Sequence, residues 1–336
     1  MEERIKIWGD SIPYNTGRSK LEVMDIHPEY RQLDILLKHP GIFNKKVEFT
    51  EDMSGNDTMV YNTEIKTGIA KETFDDEPYL IPYLVPGSDR CILSVPGGGY
   101  INKSMDNEGT GIARFLNKAG ISCFVLWYRS YPYLYPVPTL DLQRAVRYVR
   151  YHANDYGIDP RKIGMVGFSA GGNCCGNLLN LLRNKPVDYP GYSEDEIDRM
   201  DATVALAGLV YPAIDLENYK VFMGAYIDRN ELRDATKREK LAREFTIKYH
   251  IEPDDPPQFI CHARNDFLVP FQGSVDYFNA LVAKGVPAKF LGLKKGNHGF
   301  GACENKSWWA RSGQGYASRW RDEFSNWANN IFDEMG

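Results

Sequence analysis

Short apolar runs alternate with longer amphipathic stretches along most of this chain. Residues 91–95, 121–128, 162–168, 203–210, 258–264 and 287–293 are almost continuously apolar over strand-like lengths, the pattern of strands buried on both faces. Between them the apolar positions recur at helical spacing. Residues 107–119 place Ile112, Phe115 and Leu116 on one face, and a helix entered from Thr139, a good N-cap residue, carries Leu142, Ala145, Val146, Val149 and Ala153. Asp141 in its first turn suits the helix dipole, and Gly120 and Gly157 stand where these two helices should stop. Further helices are expected at 173–182, 233–247 and 273–284, with an aromatic-studded one at 315–332. Strands alternating with helices of this length predict an α/β fold, a mostly parallel sheet flanked by helices.

Two regions depart from that alternation. Residues 1–77 are polar and mixed, with helical periodicity only near 30–37 and a short apolar run at 47–49. They read as an N-terminal extension packing on a domain of residues 78–336, whose first run, 79–85, carries prolines that suit an edge strand. Residues 212–255 are charged and longer than a crossover needs, and so read as a helical cap-like insertion over the carboxyl ends of the strands.

Composition narrows the class. With 336 residues, 43% hydrophobic and 25% charged, the chain can bury a large core. A net charge of -5 argues against nucleic acid as a partner, because phosphate contacts need clustered Lys and Arg. The first residues lack the apolar segment of a signal peptide, and no run approaches the ~18 apolar residues of a membrane span. Six cysteines without C-x-x-C spacing, three of them inside expected strands, indicate packing residues in a reducing compartment. The expectation is a cytoplasmic protein with no membrane partner, no metal and no cofactor; a homo-oligomer is left open.

The chemistry gathers around Gly167-Phe168-Ser169-Ala170-Gly171, which ends one apolar run and passes directly into a helix. G-x-S-x-G alone says little in a chain so rich in glycine, but strand–turn–helix is the context of a nucleophile elbow. Gly167 and Gly171 leave the turn free of side chains and Ser169 protruding from the carboxyl end of the strand. A serine hydroxyl needs an adjacent base. His298, in the glycine-flanked loop after the last strand, lies on the rim that presents Ser169; His262 sits within a strand, and His152 on a helix face. For the acid, Asp266 follows the penultimate strand on that rim, Asp215 competes from the strand before, and Asp254 and Asp255 lie at the opposite end. Pro96-Gly97-Gly98-Gly99-Tyr100 follows an early strand, where the amides of Gly98, Gly99 and Ala170 could form an oxyanion hole.

In order, Pro96-Gly97-Gly98-Gly99-Tyr100, Trp127-Tyr128-Arg129, Asp141-Leu142-Gln143-Arg144-Ala145, Gly167–Gly172, Asn265-Asp266 and Asn297-His298-Gly299 resemble the α/β-hydrolase acetyl esterases that deacetylate xylan and other saccharides, near the feruloyl/acetyl-xylan esterase branch. The resemblance covers roughly residues 79–333. Pro96 matches a position where lipase-like relatives carry His, whereas Asn173 stands where this family often has His after the elbow glycines. What the resemblance implies is a serine esterase with Ser169, Asp266 and His298 as its triad, acting through an acyl-enzyme on a small-molecule or oligosaccharide ester. Tyr100, Tyr133, Trp308 and Trp309 are candidates for contact with a sugar, although Tyr131, Tyr133 and Tyr135 read equally well as loop packing. A short-chain lipase, a serine peptidase and a catalytically dead binding protein are the competing readings.

Overall fold

The computed structural model describes residues 4–15, 63–66, 69–72, 77–100, 103–130, 133–227, 234–303 and 314–336. The features expected at 30–37 and 47–49 lie outside the described residues. The strands are β1 (Ile5–Lys6), β2 (Thr63–Lys66), β3 (Ile69–Glu72), β4 (Tyr79–Tyr83), β5 (Cys91–Val95), β6 (Ser122–Trp127), β7 (Ile163–Phe168), β8 (Ala207–Val210), β9 (Gln258–Ala263) and β10 (Ala288–Leu293). The main helices are α1 (Gly111–Lys118), α2 (Val137–Tyr151), α3 (Ala170–Asn177), α4 (Ala235–Glu244), α5 (Phe271–Ala283) and α6 (Arg319–Glu334).

Eight strands form one sheet in the order β1-β4-β6-β5-β7-β8-β9-β10, and β2 and β3 pair as a separate antiparallel ribbon. From β6 to β10 the neighbours run parallel, and β4 joins β6 antiparallel. This is the mostly parallel, helix-flanked sheet of an α/β hydrolase. Strands β5 to β9 are buried at every position, as their apolar runs require. Successive residues serve opposite faces. Cys91, Leu93 and Val95 pack with Leu142, Val146, Cys174 and Tyr277 from α2, α3 and α5, whereas Ile92 packs with Ile112, Leu116, Trp320 and Phe324 from α1 and α6.

Several local expectations shift. Helix α2 starts at Val137, so Thr139 is a buried residue inside the helix rather than its cap; Pro138 fits the first turn, where a missing N–H breaks no bond. Asp141 does not face solvent at a helix end. It is wholly buried, and its carboxylate accepts from the Arg129 guanidinium at 2.7 Å and the Trp8 indole at 2.9 Å. The stretch expected as one helix divides into a π-helical turn, Met105–Thr110, and α1. Only Ala207–Val210 of the 203–210 run is strand, the residues before it touching β7 through the Ala205 N to Ile163 O and Met165 N to Leu206 O bonds.

The beginning of the chain is sewn into the domain. Ile5 and Lys6 pair with Leu80 and Tyr79, a register that stops short of Pro82, which is paired with Phe124 of β6 on the other side of the strand. Arg129 Nη1 donates to Pro13 O and Arg144 Nε to Ile7 O. Among the described residues, no helix is long and apolar enough to cross a membrane.

Candidate active site

The elbow is a consequence of missing side chains. A Cβ on Gly171 would run into Val95 O, and one on Gly167 into Gly171 O, so neither position tolerates a side chain without moving backbone. The chain turns between β7 and α3 within one residue, and Ser169 takes φ 52°, ψ -116°, a strained conformation for a non-glycine residue. Bonds from Ser169 N to Val210 O and from Asn173 N and Ala213 N to Ser169 O hold it there. Its hydroxyl sits at the amino end of α3, next to first-turn amides that have no partner within the helix.

Ser169 Oγ lies 2.9 Å from His298 Nε2, and His298 Nδ1 lies 2.7 Å from Asp266 Oδ2. The loops after β7, β9 and β10 supply these three residues at one rim of the sheet, because parallel strands end together. A carboxylate facing Nδ1 fixes that nitrogen as the N–H donor and leaves Nε2 to accept from the serine. Asp266 Oδ1 accepts from the amides of Leu268 and Val269, both at 2.8 Å. Burial opposes ionisation of Asp266, but the His298 charge and hydrogen bonds from His262 and His298 outweigh it and hold the carboxyl well below the ordinary carboxylate range. For His298, burial disfavours the charged ring; the Asp266 charge and hydrogen bond, with a contribution from Glu108, outweigh this and raise its affinity for a proton.

The remaining titratable residues fall elsewhere. Asp215 binds the backbone and side chain of Asn218, with Lys248 Nζ at 4.0 Å. His262 does not reach the serine; it stands behind the acid, Nε2 at 3.1 Å from Asp266 Oδ2 and Nδ1 at 2.8 Å from Ser274 Oγ. His152 pairs with Asp155 at 2.9 Å on the exposed end of α2.

The glycine loop abuts the elbow. A Cβ on Gly97 would lie 2.5 Å from Phe168 O and 2.8 Å from Ser169 Cβ, so only glycine lets the loop come this close. Gly98 and Gly99 follow with φ of 138° and 66°, and Ala170 is fully buried at the start of α3. Tyr100 and Tyr133 are buried: the Tyr100 hydroxyl donates to Asn173 Oδ1 at 2.7 Å, and the Tyr133 ring lies 5.2 Å from the Arg129 guanidinium. Tyr135 packs against Tyr226 and Phe245 of the 212–255 region. Tyr131, Trp308 and Trp309 lie outside the described residues.

Glu108 is the residue that sequence reasoning passed over. It is 3% exposed; its Oε2 accepts from Gly97 N at 2.8 Å and its Oε1 from the Tyr211 hydroxyl at 2.7 Å. A glutamate at the start of an amphipathic stretch looks like a solvated residue, and only the neighbouring glycine loop hints otherwise. Among the described residues, no group of three or more His, Cys, Asp and Glu is placed to hold a metal ion.

Taken together, the site can activate a serine hydroxyl by an imidazole held in one tautomer, beside a loop rich in approachable amides. The similarities of the chain agree with its fold. It is 30% identical to endo-1,4-beta-xylanase B of Butyrivibrio fibrisolvens over 68% of this chain and 35% of that one. To the acetylxylan esterase of Xylanibacter ruminicola it is 28% identical, over 64% of this chain and 42% of that protein. The chain thus spans about a third to two-fifths of the length of these curated relatives. Among solved structures, the acetyl ester-xyloside bifunctional hydrolase from Caldicellulosiruptor lactoaceticus superposes with a TM-score of 0.64 at 30% identity, covering 76% of this chain and 88% of that one. The BD-FAE family model matches residues 82–281, more than half of the chain and the segment that carries the glycine loop, Ser169 and Asp266; the protein belongs to the BD-FAE family.

Proposed function

We propose that this protein is a serine carboxylic ester hydrolase that removes acetyl groups from acetylated saccharides. The observation that carries the reading is the unbroken chain Ser169–His298–Asp266, with contacts of 2.9 and 2.7 Å. Ser169 Oγ attacks the ester carbonyl as its proton passes to His298 Nε2, and Asp266 stabilises the imidazolium without taking the proton. The amides of Gly98, Gly99 and Ala170 receive the developing oxyanion; a donor of this kind is worth about 10²–10³ in rate. The alcohol leaves with the proton from His298, and water activated by the same ring then releases the acid from Ser169.

The saccharide part of the reading leans on the acetylxylan esterase and the acetyl ester-xyloside hydrolase to which the chain is similar. Incubating the protein with acetylated xylo-oligosaccharides and following loss of acetyl mass tests it, with Ser169→Ala as the blank. Loss of acetyl groups that disappears in the variant supports the proposal. Turnover of p-nitrophenyl acetate with untouched xylo-oligosaccharides would reject the saccharide and leave the esterase.

A further inference from the structure

We infer that Glu108 is a positioning residue that locks the glycine loop and the His298 loop into one frame and presents a second negative charge to His298. The inference rests on the acyl-transfer reading above and adds to it a residue outside the triad.

The bridge can be followed atom by atom. Glu108 Oε2 accepts from Gly97 N at 2.8 Å, and Ser104 N donates to Gly97 O at 3.0 Å, so both peptide groups flanking Gly97 are fixed just ahead of Gly98 and Gly99. Glu108 Oε1 accepts from the Tyr211 hydroxyl, whose oxygen in turn accepts from Gly301 N at 2.8 Å, three residues beyond His298. The Tyr211 ring lies against the imidazole, centroids 4.8 Å apart. Asn107 makes a parallel tie, its amide donating to Gly299 O at 3.0 Å and its carbonyl accepting from Ala302 N at 2.9 Å. Loops from β5 and from β10, remote in sequence, are thereby joined through the turn before α1 and the end of β8.

A carboxylate suits this place and an amide does not. Two donors converge on it, one on each oxygen, and a glutamine would have to turn its NH₂ toward one of them. Tyr211 is kept protonated by burial and by the Glu108 charge, so its hydroxyl continues to donate. Among the described residues, Ser169 from the elbow, Asp266 from the loop after β9 and the Tyr211 ring from the end of β8 contact His298, with His262 one step farther beyond Asp266, and Glu108 acts on the ring through its charge from the turn before α1. Burial pushes the Glu108 carboxyl above its ordinary value, and the Tyr211 hydroxyl, the Gly97 amide and the His298 charge that face it oppose that rise and favour the carboxylate. Because the Glu108 charge favours the imidazolium, removing it lets His298 lose its proton at lower pH.

Steady-state hydrolysis of p-nitrophenyl acetate by the full chain, measured across pH, tests this with Glu108→Gln, Tyr211→Phe and Ser169→Ala. The wild-type and Ser169→Ala arms are read first: an inactive wild type, or an unchanged alanine variant, would refute the hydrolase reading itself. With that reading intact, Glu108→Gln should lower kcat about 10–100-fold, change KM less than about threefold, and move the acid limb of kcat/KM to lower pH. Tyr211→Phe should lower kcat with the acid limb nearly in place, since the Glu108 charge remains. A folded Glu108→Gln protein with kcat within about twofold of wild type, or with an acid limb that stays put, overturns the inference. Should Glu108→Gln fail to fold, Tyr211→Phe decides alone: a loss in kcat of about tenfold or more supports the bridge, and an unchanged kcat refutes it.

Discussion

His298 and His262 both contact the same oxygen of Asp266, Oδ2, at 2.7 and 3.1 Å. That carboxylate therefore receives two imidazoles on one oxygen and two backbone amides on the other. His262 is itself oriented by Ser274, which lies against its Nδ1. Replacing His262 by Asn should lower kcat about tenfold, the worth of one hydrogen bond to a charged group, while leaving KM nearly unchanged. A variant whose kcat matches wild type would show that His298 and the two amides suffice to hold the acid.

Asp266→Asn should be much more damaging. An amide in place of the carboxylate can present its NH₂ to His298 and favour the wrong tautomer, with a loss of about 10⁴ in kcat in a protein that still folds. Were Asp215 the working acid, Asp215→Asn would carry that loss instead, so kcat for the two variants side by side separates them.

The shifts of these two groups predict how stability and activity depend on pH. Asp266 titrates below its unfolded value of about 3.9, so its contribution is present above that pH and is lost as acid drives the pH down through its folded value. His298 titrates above its unfolded value of about 6.5, so its contribution is complete below that pH and is lost as the pH rises through its folded value. The gap in melting temperature between wild type and Asp266→Asn should thus be widest between about pH 4 and pH 6.5 and should narrow on both sides. A gap that does not vary with pH would contradict this. In kcat/KM, where the ring must be neutral, the acid limb should have its midpoint above about pH 6.5.

Arg129 and Asp141 form a wholly buried ion pair, both side chains 0% exposed, that also holds Trp8 and Pro13 of the N-terminal segment. Asp141→Ala leaves a guanidinium uncompensated in the core and should cost about 3–5 kcal/mol in denaturant unfolding. Trp8→Phe removes the indole bond and part of a ring packed against Tyr192 and the Arg144 guanidinium, and should cost less, about 1–2 kcal/mol. Equal costs for the two would mean that the carboxylate matters through Trp8 and not through Arg129.

Gly171→Ala puts a methyl group against the backbone of Val95 and Pro96. The elbow must move, so kcat should fall at least about 10²-fold with a stability loss of about 1–3 kcal/mol. Retained kcat would mean the elbow yields without displacing Ser169.

The parallel sheet was readable because strands buried on both faces are nearly continuous apolar runs, as β5, β6 and β7 are; β9 keeps four apolar or small residues, interrupted by the buried His262. The site was readable for a related reason. Parallel strands end on one rim, so a serine after β7, an aspartate after β9 and a histidine after β10 had few places to go except together. What escaped were roles that depend on burial of charged groups. Asp141 looked like a dipole-facing residue and Glu108 drew no reading at all, because sequence spacing does not reveal that Arg129 and Trp8, or Gly97 and Tyr211, will close over them. Thr139 had the chemistry of a cap, but Pro138 fits a first turn better than a pre-helical position, and the helix starts earlier.

The central claim, that His298 activates Ser169 as a nucleophile, is tested most directly by quenching the protein in acid during turnover of p-nitrophenyl acetate and mapping acetylated peptides by mass spectrometry. The account predicts one acetyl group, on Ser169, accumulating in wild type and absent from His298→Ala. An acetyl group on another residue, or equal acetylation of Ser169 without the imidazole, would contradict it.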